Sequence, residues 1–152
     1  MKKGPLFVFF LLPLWLAVAP AYSENQSRIR DLETQMQILE RDFQAVFQDW
    51  LGIERLNLAV RADQPPAIQR KLGQLQKDRA DLKTKMHLDK KSMEDLRASF
   101  IRFKAEANPP RMEMIKLQSL MSARGTAIQL STNMIKSIND NHSKIVENLK
   151  DD

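Results

Sequence analysis

Two proline pairs, Pro65-Pro66 and Pro109-Pro110, constrain this chain more than any other feature. Every proline after residue 20 belongs to one of them. Proline has no backbone N–H and its ring clashes with the preceding helical turn, so a pair can open a helix but not continue one. The pairs divide residues 24–150 into three segments of nearly equal length.

Each segment carries apolar residues at alternating steps of three and four. The first seam is Ile29, Leu32, Met36, Leu39, Phe43, Val46, Trp50 and Ile53. The second runs Ile68, Leu72, Leu75, Arg79, Leu82, Met86, Asp89, Met93, Leu96, Phe100, Phe103, Ala107. The third runs Met114, Leu117, Met121, Arg124, Ile128, Ser131, Ile135, Ile138, His142, Ile145, Leu149. Such spacing over more than three heptads argues for coiled-coil packing, and no strand alternation is expected to compete with it. The expected fold is all-α: an elongated up-down-up antiparallel bundle or coiled coil of three long helices, spanning about 24–61, 66–107 and 110–149. Ser23 or Ser27 is expected to cap the first helix, and Pro66 and Pro110 to fall in first helical turns.

The chain opens Met1-Lys2-Lys3, continues apolar from Leu6 to Ala19, and ends that stretch in Ala19-Pro20-Ala21-Tyr22-Ser23. A basic start, a short apolar run and small residues before a cut mark a secretory signal peptide. Cleavage is expected after Ala21 or after Ser23. A membrane-spanning anchor needs roughly 20 apolar residues, more than this run supplies, so membrane contact is expected only through the signal. The absence of cysteine excludes disulfides and a lipidated cysteine. The expected location is the bacterial periplasm, with secretion as the alternative.

The formal charge of +5 falls to +3 without Lys2 and Lys3, too little to argue for nucleic acid. Its distribution is more informative: residues 24–60 hold seven acids and four bases, residues 66–107 eleven bases and six acids. Labelling seam positions a and d places Glu33, Glu40 and Glu54 at e on the first helix. Lys83, Lys90, Arg97 and Lys104 take e on the second. Antiparallel helices bring e beside e. A turn centred near residue 63 then puts Glu33 between Lys90 and Arg97, and Glu40 between Lys83 and Lys90. These charges are expected to set register and orientation.

Strongly polar residues interrupt the seams at Arg79, Asp89, Arg124 and His142. The same arithmetic groups Trp50, Arg79 and His142 at one level, sets Asp89 opposite Ser131, and puts Arg124 near Glu33, Glu94 and Asp95. They read as register-fixing polar layers, since no carboxylate or nucleophile joins His142 to make a reaction centre. Met112-x-Met114 and the two histidines, His87 and His142, raise copper binding. Most methionines, however, lie on the seams as core filler, and His87 is expected to face outward. No cofactor or metal is expected, and no enzymatic activity. Asn25-Gln26-Ser27 and Asn141-His142-Ser143 match a glycosylation sequon that matters only in a eukaryotic host.

Ile38 and Leu88 point away from the seams and fall nearly level, while Leu120, Ala127 and Met134 give the third helix an apolar flank. Ile38, Leu88, Leu120 and Met134 are therefore the candidate partner surface. Three function classes follow: an adaptor, spacer or assembly subunit of an envelope or secretion machine; a holdase chaperone for unfolded clients; and a secreted membrane-active helical effector. Seams carrying Arg79, Asp89 and Arg124 speak against the third. Partners are expected to be other proteins, with a homo-oligomer open.

Overall fold

A computed structural model of the chain describes residues 14–106 and 109–149, with side chains from Gln26 onward. Three long helices pack together, and no strand occurs among the described residues. They are α1 (Leu14–Glu54), α2 (Pro66–Ala105) and α3 (Arg111–Asn148). Most of the expected signal peptide lies outside the described residues. α1 runs through Ser23 and Ser27 without a break, so neither caps it. The chain divides into two compact units, Met1–Thr34 and Gln35–Asp152. The packing described below is that of the second.

The seams form its core. Leu75, Leu82, Met86 and Ile138 are almost completely buried, and Met93, Leu96, Phe103, Met121, Ile135 and Ile145 are buried too. Pro66 opens α2 at its first position, where a missing N–H costs no hydrogen bond, and Arg102 and Lys104 sit in the last turn, favourably placed for the helix dipole. Pro110 is the N-cap of α3, one place earlier than expected. Ala107 and Asn108 lie outside the described residues.

The connection after α1 departs most from expectation. The helix ends at Glu54, not near residue 61, closing with tightened bonds from Arg55 N to Gly52 O and from Leu56 N to Ile53 O. Residues 55–61 leave the helix and run back along α2 as a strap. Its sequence, Leu56-Asn57-Leu58-Ala59-Val60, places the large apolar residues at every second position, the period of extended chain. Leu58 is buried, Leu56 half-buried and Val60 exposed. This two-residue spacing is the sequence feature that distinguishes the strap from a continuation of α1.

Two α2 side chains hold the strap by its carbonyls. Arg79 Nη1 donates to Leu56 O at 3.0 Å, and Gln76 Nε2 donates to Leu58 O at 2.8 Å. Leu56 lies two residues past the end of α1, so its carbonyl has no partner in the helix. Arg79 supplies one, and this seam arginine thereby ties the strap to α2. The turn itself is closed by Arg61 N donating to Gln64 Oε1 at 2.9 Å and Gln69 Nε2 to Gln64 O at 2.8 Å.

Candidate functional site

The strap determines which residues meet across α1 and α2. An extended residue advances about 3.3 Å against about 1.5 Å in a helix. Seven such residues therefore pass roughly fifteen of α2, displacing the register by about eight. The observed contacts carry that displacement. Arg97 Nε lies 3.4 Å from Glu40 Oε1, one heptad beyond Lys90. Ten residues on, the Trp50 ring meets His87 at 5.9 Å, edge to face. The e-beside-e rule holds for Glu40 and Arg97, but the expected pairing of Glu40 with Lys83 and Lys90 does not. Glu33 is half-buried and belongs to the first unit.

The displacement also separates Ile38 from Leu88. Ile38 now lies near the level of Ser99, and Leu88 near that of Asp49. Both are exposed, at 45% and 61%, but they form no level pair. Likewise Trp50 shares its level with His87 and not with Arg79. His87 is exposed as expected, yet its ring packs on the tryptophan. An aromatic ladder leads there along α1: Phe43 to Phe47 at 6.1 Å and Phe47 to Trp50 at 5.1 Å. The buried Trp50 Nε1–H has no hydrogen-bond partner.

The second connection, residues 106–110, is short, and there the expected register holds. Ser131 Oγ donates to Asp89 Oδ2 at 2.9 Å, with Ser131 fully buried and Asp89 6% exposed. Lys85, one turn before Asp89 on α2, reaches both carboxylate oxygens at 3.3 and 3.0 Å. The carboxylate is thus satisfied by a cation on its own helix and a hydroxyl on the next. Further along, Leu75 and Asp78 share a cleft with Ile145 and Asn141, in the same register. His142 is half-buried near the level of Arg79. Arg124 is half-buried and forms no ion pair among the described residues.

Leu120 is exposed and Met134 half-buried on the α3 flank. Leu39 Cδ1 of α1 comes within 3.8 Å of where a Cβ on Gly125 of α3 would stand, an ordinary contact distance.

Phe43, an expected core residue, is only half-buried, because it lines an open groove of about 520 Å³ between α1 and α2. Met93 completes the apolar floor, while Glu40, Arg41, Lys90, Glu94 and Arg97 form a charged rim. The Glu40–Arg97 pair spans the groove from one helix to the other. Among the described residues no cluster of three metal-ligating groups occurs, and no helix is long and apolar enough to cross a membrane. The chain matches no family model, no curated protein and no solved structure.

Proposed function

We propose that this chain is a non-enzymatic exported interaction protein, an adaptor, spacer or assembly subunit of a bacterial envelope machine. In this reading the signal peptide is cleaved after Ala21 or Ser23 and the remaining chain acts in the periplasm. The mature fold is an up-down-up antiparallel bundle. That arrangement is supported by the contacts Glu40–Arg97 and Trp50–His87 between α1 and α2, and by Asp89–Ser131 and the cleft shared by Leu75 and Ile145 between α2 and α3, in which residue numbers fall on one helix as they rise on its neighbour.

The observation that carries the interaction reading is the groove over Phe43 and Met93. An apolar floor beneath a charged rim is the composition of a protein-recognition surface, where the centre supplies burial and the rim orients the partner.

A photo-crosslinking residue placed at Gln44 in the groove, and separately at Leu88 and Leu120, tests this in cells that express the exported protein. Capture of one defined envelope protein supports the adaptor reading. A broad smear of adducts from all three positions would replace it with a holdase. The chaperone reading is favoured by Leu88, Ile101 and Met112, each at least 60% exposed. It would be confirmed by suppressed aggregation of a denatured model client at near-stoichiometric ratio.

A further inference from the structure

Nothing local ends α1 at Glu54. From Ile53 to Asp63 the chain has no glycine or proline, and Ile53, Leu56 and Val60 stand at steps of three and four, as a continued seam would. The strap is extended because α2 holds it so: Gln76 and Arg79 bind its carbonyls, and Leu58 is buried. A helical strap would exchange the outer two apolar residues, burying Val60, now 44% exposed, and releasing Leu58.

We infer that residues 55–61 are a register switch. Extended, they hold α1 where it stands; helical, they shorten, and α1 from Gln35 to Glu54 slides one heptad along α2, about 10 Å, toward Pro65. The slip keeps what the seam requires. The displacement set by the extended strap is close to seven residues, so a and d levels of α1 meet a and d levels of α2 in both registers. Bases recur at four successive e positions of α2, Lys83, Lys90, Arg97 and Lys104, so Glu40 exchanges Arg97 for Lys90 and keeps a cation.

The two seams of α2 differ in how firmly they are fixed. Toward α3 the register is pinned by the buried pair of Asp89 and Ser131. Toward α1 no such pin exists: the seam Met36, Leu39, Phe43, Val46, Trp50, Ile53 holds no charged or hydroxyl residue. The Glu40–Arg97 pair is exposed, a kind worth little, and the groove beside it leaves the seam open. The Trp50 N–H, buried without a partner, is a cost of the observed register. The slip moves Trp50 from the level of His87 to that of Ala80, next to the Arg79 released from Leu56. It also carries Phe43 away from Met93, so the groove belongs to one register only. Strap and groove are thereby coupled.

The chain has no cysteine, so spin labels can be placed freely. A pair at Gln48→Cys and Arg70→Cys, both exposed, reads the slip. With the native strap one distance dominates. Leu58→Gln with Gln76→Ala frees the strap, and that distance shortens by about 10 Å while helical ellipticity rises. Gln76→Ala alone, which disturbs no core residue, adds the short distance as a minor population. Val60→Pro, which bars a helix through the strap, removes the short distance from both variants. A control pair at Thr84→Cys and Ser122→Cys, across α2 and α3, does not change. An unshifted distance in the freed strap, a short distance that survives Val60→Pro, or a moving control pair overturns the switch. If the double variant loses helix, the Gln76→Ala chain decides: a single long distance there overturns the switch equally.

Discussion

Ser131 donates a hydrogen bond of 2.9 Å to Asp89 across the buried seam of α2 and α3. A buried carboxylate is costly unless it is paired and hydrogen-bonded, and here Lys85 and Ser131 share that task. The layer secures which residues of α2 and α3 face each other more than it secures stability, since buried ion pairs are weak stabilisers relative to apolar replacements. Ser131→Ala is expected to destabilise the fold by about 1–3 kcal/mol, because it strips one bond from a buried charge. Asp89→Leu combined with Ser131→Ala should recover most of that loss. Urea denaturation of the two singles and the double measures the coupling, and strictly additive losses would refute the layer.

Glu40 and Arg97 test the register. The chain has no cysteine, so paired cysteines report without background. With a short bis-maleimide, Glu40→Cys should crosslink to Arg97→Cys and not to Lys83→Cys. Efficient crosslinking to residue 83 would restore the shorter register. Reversing both charges of the pair should change stability by less than about 1 kcal/mol, as expected for so exposed a contact.

The strap depends on Leu58 and its two α2 donors. Leu58→Ala is expected to cost about 2–5 kcal/mol through the cavity it leaves. Arg79→Ala should cost about 1–3 kcal/mol, because it leaves the half-buried Leu56 carbonyl of the strap without its donor. Amide exchange should then quicken first across residues 55–61. Uniform quickening across α2 and α3 would mean that the strap has no separate role.

The Trp50 N–H carries a penalty that can be removed. Phenylalanine keeps an aromatic ring against Phe47 and His87 while deleting the buried donor. Trp50→Ala should lose about 3–5 kcal/mol, and Trp50→Phe less than half as much, since losing an unsatisfied donor offsets part of the lost packing. Equal losses in thermal or urea unfolding would show that the indole N–H is bonded.

Gly73 lies exposed within α2, and a Cβ there would meet nothing within 4 Å. Gly73→Ala should stabilise the chain by about 0.5–1 kcal/mol, because alanine surrenders less backbone freedom on forming helix. A lower melting temperature would mean that this face is covered in solution.

Three helices, their seams and the polar positions within those seams were all legible in the sequence, because helix periodicity is local: a residue's face depends only on neighbours three and four places away. The starts of α2 and α3 could be read to within a residue, since proline acts on its own turn. The pairing of Asp89 with Ser131 was also legible, because only five residues separate the end of α2 from the start of α3 and so few residues leave little room for the register to drift. What required the tertiary structure was the end of α1. Leu56, Leu58 and Val60 can continue a helix or alternate along an extended chain, and the choice falls to burial of Leu58 and to Arg79 and Gln76, which lie some twenty residues away. Extended residues rise about twice as far as helical ones, so that one choice moved Glu40 to Arg97, parted Ile38 from Leu88, and set Trp50 against His87. The sequence by itself determined the helices and their apolar faces. Only the tertiary structure decided their register, because register accumulates the rise of every residue in the connection and no local pattern records that sum.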